Sequence, residues 1–293
     1  MTSPLQICLL GLGEVGQILA TDLDAASGAI SAWDPLFTDR HGPVWQAAVA
    51  VRKGMNGQDA VRNSDLVISA VTAAQTRVCA EDVAPALKRG AYYVDLNSAS
   101  PGGKQAAARA IDAAGGRYVE AAVMASFPPT RLKTPMLLGG PHAESFAPLA
   151  AELGFSRAQV FAAELGKASA AKMCRSVLIK GLEALLTESL LAARRYEVDG
   201  AVLASLSSLL PAADWPELAR YMISRSLRHG RRRAEEMREV ATTVREAGLS
   251  PAMSTACATR QELASAFAET TQGEPLDALL DTLLAQARPE RPL

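Results

Sequence analysis

The hydrophobic pattern of this 293-residue chain changes character near Gly166. Before that point, short apolar runs alternate with segments whose apolar residues recur every three or four positions; after it only the longer period remains. An unbroken apolar run of four to eight residues reads as a strand buried on both faces, and a 3.6-residue period reads as an amphipathic helix. The strand-like runs are 5–10, 29–33, 65–71, 92–96, 118–122, 136–138 and 159–161. Helical segments separate them: one after Gly16, one through Trp45 and Val49, one through Val83 and Leu87, one over 106–114 behind the cap Asn97-Ser98-Ala99-Ser100-Pro101, and one over 142–153. Such alternation predicts a doubly wound, mostly parallel sheet with helices on both faces.

Past Gly166 the pattern predicts an all-helical domain, with helices over 167–196, 202–210, 216–227, 231–247 and 254–269. The expected division is therefore 1–162 and 163–293. The first of these helices would be about 45 Å long at 1.5 Å per residue, longer than one small domain needs. It is expected to run between the domains and to bury Leu178, Leu182, Leu185, Leu186 and Leu190, with Gly181 marking a close helix contact. The tail over 288–292 is expected to fray.

Composition narrows the function classes. Net charge is −1, which argues against nucleic acid or an anionic membrane as partner. The most apolar segment, 177–193, carries Lys180, Glu183 and Glu188, so no membrane span is expected and a cytoplasmic protein is. Four cysteines (Cys8, Cys79, Cys174, Cys257) and three histidines are scattered without ligand spacing, so neither a metal site nor a disulfide framework is expected.

Candidate chemistry begins at the first strand, which runs directly into Gly11-Leu12-Gly13-Glu14-Val15-Gly16. In a strand–turn–helix setting Gly11 permits the tight turn, Gly13 lets backbone approach a pyrophosphate and Gly16 lets the helix pack closely. The helix N-terminus offers unpaired N–H groups and a positive dipole end to the phosphates. An acidic residue should end the second strand, and Asp34 does. Its carboxylate suits the ribose hydroxyls of NAD and repels a 2′-phosphate, although Arg40 and His41 in the following loop keep NADP open; a plain cap on the Pro35 turn is the structural alternative. The nicotinamide would then lie near Val71-Thr72 and Asn97-Ser98.

Lys172 opens the long helix behind a run of small residues, Ala168-Ser169-Ala170-Ala171, with Arg175 and Ser176 at i+3 and i+4. A neighbouring guanidinium and partial burial would lower its pKa toward the range of a general acid/base; a solvated helix-start lysine is the alternative. In the segment from His229 through Arg231, Arg232 and Arg233, either Arg232 or Arg233 could join His229 in clamping an anionic substrate. The interleaved Glu235, Glu236 and Glu239 equally suit an ion-paired helix face.

Taken together, Gly11 to Gly16, Asp34, Val94-Asp95 with Ser98 and Pro101, Gly139-Gly140 and Gly166 through Lys172 resemble the β-hydroxyacid dehydrogenase superfamily, relatives of 3-hydroxyisobutyrate and 6-phosphogluconate dehydrogenases. The resemblance covers most of the chain. It implies a Rossmann domain followed by a 6-phosphogluconate dehydrogenase-like helical domain, NAD or NADP as hydride carrier, Lys172 as catalytic acid/base, and a homodimer or homotetramer formed through the helical domain. Two departures point to a different, small anionic substrate. Glu120-Ala-Ala-Val-Met124-Ala-Ser126 stands where the family has Asp-Ala-Pro-Val-Ser-Gly-Gly, and Ser176 stands where it has asparagine. Ser98, Met124, Ser126, Arg175 and Ser176 are the expected substrate contacts. A hydroxy acid or related carbonyl compound is the expected substrate class, with an imine reductase or a non-catalytic NAD-binding sensor as alternatives.

Overall fold

The computed structural model describes residues 4–23, 29–48, 51–209, 214–267 and 275–286; Val49, Leu210, residues 268–269 and the 288–292 tail lie outside them. The chain forms two compact units, Met1–Met173 and Cys174–Leu293.

The first unit is built on one sheet of eight strands: β1 Gln6–Leu10, β2 Ala29–Trp33, β3 Arg52–Lys53, β4 Leu66–Ser69, β5 Tyr92–Asp95, β6 Arg117–Val123, β7 Met136–Gly139 and β8 Ala158–Ala162. Their order is β3-β2-β1-β4-β5-β6-β7-β8, parallel throughout except for the antiparallel pair β6–β7. The chain winds outward through β2 and β3 on one side of β1 and resumes with β4 on the other. This makes the β1/β4 boundary a switch point, where ligands of open α/β sheets bind beyond the carboxyl ends of the strands. The helices of this unit are α1 Glu14–Leu23, α2 Pro43–Ala47, α3 Gly57–Val61, α4 Thr76–Val83, α5 Pro101–Ala113, α6 Phe127–Thr130 and α7 Ala143–Glu152.

Both faces of the central strands are covered, and for that reason those strands read as apolar runs. Ile7, Leu9, Ile30, Leu66, Ile68 and Val94 join one buried cluster with Leu19 and Phe146. Their neighbours Cys8, Leu10, Val67 and Tyr93 join a second on the opposite face, with Val83 and Ile111. β3 and the short helices α3 and α6 span two to five residues each, too few for a period to emerge, while α2 is the described part of the segment expected through Trp45 and Val49. α5 starts earlier than its apolar pattern, because Pro101 takes the first turn and the Ser100 hydroxyl accepts from Gly103 N at 3.2 Å.

The second unit is helical: α8 Lys167–Arg195, which begins in the first unit, then α9 Asp199–Leu209, α10 Trp215–Glu246, α11 Ala252–Ala264 and α12 Leu276–Gln286. Its core joins Leu186 and Leu190 of α8 to Ile223 and Leu227 of α10 and to Leu279 and Leu283 of α12. Three expectations need correction. The helices expected over 216–227 and 231–247 are one helix, α10. Gly230 does not stop it: a Cβ there would come 2.5 Å from Gln261 O and 2.8 Å from Ser265 N, so the glycine admits the backbone of α11 and of Ser265 just beyond its end. Gly181, by contrast, has nothing within 4 Å of where a Cβ would stand and marks no close contact among the described residues. Leu178 and Leu185, expected in the core, are 71% and 55% exposed; seven residues apart, they share the face of α8 turned away from Leu186 and Leu190. α12 goes unread from the sequence, and among the described residues no helix is long and apolar enough to cross a membrane.

Candidate functional site

The glycine loop connects β1 to α1 at the switch point. Gly11 adopts φ +89°, a left-handed conformation that favours glycine, and a Cβ on it would lie 2.6 Å from Ala70 O and 3.2 Å from Val71 Cγ1, so the loop rests on the chain leaving β4. A Cβ on Gly16 would overlap the Gly11 carbonyl oxygen. Gly13 differs from both. It is exposed, its φ is not positive, and nothing lies within 4 Å of its Cβ position. No described neighbour requires glycine there, whereas a phosphate group approaching the backbone at the start of α1 would. Glu14 is exposed and Val15 half-buried beside it.

Asp34 ends β2 and is buried. One carboxylate oxygen accepts from Leu12 N at 2.8 Å and the other from Leu36 N at 2.9 Å. The residue therefore does cap the turn after Pro35, and it also fixes the glycine loop. Each oxygen retains a lone pair, which is what two ribose hydroxyls require. In the adjoining loop the Arg40 guanidinium lies 5.6 Å from the Trp45 ring centroid, and His41 is exposed. Open space at Gly13, a fixed carboxylate at Asp34 and α1 starting beside them fit a dinucleotide.

Further along the same edge, β5 ends in a buried polar network. Asp95 pairs with Lys104 of α5 at 2.8 Å, both side chains being almost fully buried. It also accepts from Tyr118 OH at 2.6 Å and from Asn97 N at 2.8 Å, while Lys104 donates to the Asp95 carbonyl oxygen at 3.0 Å. Burial first, then the Asp95 charge, pushes the Tyr118 phenol well above its ordinary pKa, which keeps it a donor. Asn97 donates from Nδ2 to the Ser69 hydroxyl at 3.0 Å, and its buried Oδ1 has no hydrogen-bond partner among the described residues. Val71 is half-buried and Thr72 exposed just beyond β4. Next to Asn97 the half-buried Ser98 accepts from Lys172 Nζ at 2.7 Å. The folded chain thus joins two residues 74 positions apart: a lysine from the start of α8 and a hydroxyl from the end of β5.

The other expected substrate contacts divide between the two units. Met124 is half-buried just past β6, and Ser126 is exposed at the start of α6. The remainder belong to the second unit: Arg175 is exposed, and Ser176 is buried with its hydroxyl 3.4 Å from Lys180 Nζ. Arg233 is buried in an ion pair with Glu183. Arg232 pairs with Glu236 at 2.7 Å, and Glu236 also pairs with Lys180 at 2.5 Å. His229 is half-buried in α10. The arginines are therefore engaged by carboxylates of their own unit, as the interleaved glutamates allowed. Burial, first among its causes, holds Lys180 below its ordinary pKa.

Sequence reasoning missed Glu120, Lys104 and Tyr118. A carboxylate inside an apolar strand was the available signal, since a buried charge requires a partner.

Residues 6–153 match the family described as the NAD binding domain of 6-phosphogluconate dehydrogenase. The chain belongs to the 6-phosphogluconate dehydrogenase-like superfamily. Residues 193–264 of this superfamily member match a second family, a domain of unknown function. Among solved structures it is similar to a conserved hypothetical protein of Sinorhizobium meliloti, at 34% identity and TM-score 0.74 over 97% of each chain. It is also similar to a conserved protein of unknown function that is itself described as structurally similar to 3-hydroxyacid dehydrogenases, at 30% identity and TM-score 0.69 over 90% of this chain and 98% of that one. Mycobacterium tuberculosis 3-hydroxyisobutyrate dehydrogenase shares the fold, at 18% identity and TM-score 0.70 over 95% of this chain and 99% of that one. The first unit of this superfamily member is thus an NAD-binding domain in family and in fold, and NAD(P)-dependent oxidoreductase is the class these matches support.

Proposed function

We propose that this protein is an NAD(P)-dependent dehydrogenase or reductase acting on a small hydroxy acid or a related carbonyl compound, with Lys172 as the general acid/base. The observation that carries the reading is the 2.7 Å hydrogen bond from Lys172 Nζ to Ser98 Oγ. It holds an amine at the carboxyl edge of the sheet, next to Asn97 and on the edge where the glycine loop opens. The nicotinamide, when bound, supplies the hydride acceptor or donor. Lys172 takes the hydroxyl proton of the substrate in oxidation and returns it in reduction, while Ser98 orients the amine and the substrate oxygen. Asp34 supports NAD over NADP, because its carboxylate would face a 2′-phosphate.

The test is turnover with NADH and NADPH against a panel of oxo acids, aldehydes and cyclic imines. Lys172→Met should lower kcat by about 10²–10⁴-fold, the usual contribution of a positioned acid/base, with NADH affinity unchanged. Undiminished turnover in that variant overturns the assignment. Consumption of imines alone would make the protein an imine reductase, and NADH binding without turnover on any class would make it a sensor. We further propose a homodimer or homotetramer formed through the helical unit, which the exposed Leu178 and Leu185 support. Light scattering of a Leu178→Glu, Leu185→Glu variant should report monomer, and an unchanged mass refutes that surface.

A further inference from the structure

Glu120 lies in the middle of β6 with its side chain fully buried. Its Oε1 accepts from Gly166 N at 3.0 Å and from Ala168 N at 3.0 Å. These two N–H groups bracket Lys167, the first residue of α8, and belong to the set that a helix start leaves without an intrahelical partner. A carboxylate there also meets the positive end of the helix dipole. Gly166 itself, at φ +96°, packs against the start of α5: a Cβ on it would lie 3.2 Å from Pro101 Cβ. The helix start is therefore held from two sides, and Lys172 stands five residues further along, about 7.5 Å at 1.5 Å per residue.

The antiparallel register places Gly139 of β7 opposite Glu120. A Cβ on Gly139 would overlap Glu120 Oε1 and come within 2.8 Å of Cγ and 2.9 Å of Cδ. Gly139 has no left-handed backbone to account for its identity. The second oxygen, Oε2, is buried and has no hydrogen-bond partner among the described residues, so the hydrogen bonds of the Glu120 carboxylate fall on the start of α8.

We propose that Glu120 is a positioning residue that sets where Lys172 meets Ser98, and that Gly139 is glycine to make room for its carboxylate. The proposal rests on the reading of Lys172 as the proton-transfer residue. Two hydrogen bonds to one oxygen fix the translation of α8 along its axis, and a shift of the helix start is carried through rigid helix to the amine. Glutamine preserves the accepting oxygen at that place, whereas alanine removes it and aspartate falls one methylene short.

The experiment compares E120Q, E120A, G139A and the E120A/G139A pair in the full chain, with K172M as reference. It measures amide exchange over residues 166–172, NADH affinity and kcat. E120A should speed exchange over 166–172 and lower kcat about tenfold or more, as small displacements of catalytic groups do, with NADH affinity unchanged. E120Q should restore both exchange and kcat. G139A should resemble E120A, and adding it to E120A should cost nothing further. Wild-type exchange and kcat in E120A, failure of E120Q to restore them, or a full additional effect of G139A on top of E120A each overturns the proposal. Should E120A fail to fold, E120D gives the same readouts. If K172M keeps turnover while E120A still loosens 166–172, the Lys172 reading fails and the helix anchor stands on its own.

Discussion

Gly13 and Gly16 lie three residues apart, yet alanine should fail at the two positions in different ways. On Gly16 a Cβ overlaps the Gly11 carbonyl oxygen and comes within 2.9 Å of its carbon. Backbone atoms have no rotamer to escape into, so the cost lies at or above the upper end of about 1–3 kcal/mol for overpacking. The roughly 1 kcal/mol that alanine gains over glycine inside a helix offsets part of it. At Gly13, with open space around it, alanine forfeits about 0.5–1 kcal/mol as the residue preceding α1 and regains about 0.4–1 kcal/mol by restricting the unfolded chain. A net loss of about 2 kcal/mol corresponds to about 4–8 °C in Tm for a unit of this size. Gly16→Ala should therefore melt that much lower, and Gly13→Ala within about 3 °C of the parent. Binding reverses the order. A methyl group at Gly13 occupies the approach of the pyrophosphate, and a steric cost of about 1–3 kcal/mol weakens NADH about 5–150-fold. Circular dichroism melting without nucleotide, together with fluorescence titration of NADH, measures both quantities. Parental NADH affinity in Gly13→Ala, or melting as low as that of Gly16→Ala, would refute the assignment of Gly13 to the cofactor.

Lys104→Met leaves Asp95 buried without its cation and should cost about 3–5 kcal/mol in urea unfolding; a loss below about 1 kcal/mol would show that the pair is not needed. Thiol labelling of the native chain near neutral pH should modify the exposed Cys174 quickly and Cys8, Cys79 and Cys257 only on unfolding, because burial pushes their thiols up to about 12, 11 and 11 respectively. The same shifts set an alkaline limit: the unfolded thiols lose protons near 9.0 while the folded Cys8 and Cys79 retain theirs, so the unfolded state binds fewer protons and stability falls with rising pH. That contribution is complete below about pH 9 and is lost as pH rises through the folded values; a urea midpoint that does not drop between about pH 8 and about pH 10.5 contradicts it.

The central strands were legible because both their faces are covered, which leaves unbroken apolar runs such as Ile7 to Leu10. The cofactor loop was legible because its glycines answer to local geometry, at φ for Gly11 and at helix packing for Gly16. What escaped depends on contacts distant in sequence. Gly230 reads as a break between two helices and Gly181 as a close helix contact, yet Gly230 admits a second helix and no described residue approaches the Cβ position of Gly181. Leu178 and Leu186 are equally apolar, and only the tertiary packing of α8 decides which is buried. The pairing of Lys172 with Ser98 spans 74 residues, so the sequence could nominate the lysine but not its partner. Arg233 was nominated for a ligand because Glu183, its actual partner, lies 50 residues away.

One row across the sheet accounts for the arrangement of the site. Register places Leu10, Ser69, Asp95, Glu120 and Gly139 side by side on β1, β4, β5, β6 and β7. Beside Leu10 the row is apolar and leads into the glycine loop; from Ser69 through Glu120 it is polar and buried, and Asp95 and Glu120 each find hydrogen-bond donors there. Ser69 holds Asn97, Asp95 holds the turn that carries Asn97 and Ser98, and Glu120 holds the start of the helix that carries Lys172. The two groups that meet at 2.7 Å are thus each fixed to a neighbouring strand of the same rigid sheet by a buried carboxylate. Their separation is then set by strand spacing rather than by loop conformation. If Lys172 is the acid/base proposed above, a pair fixed in this way meets the condition under which such a group contributes its full effect, a geometry set before substrate arrives.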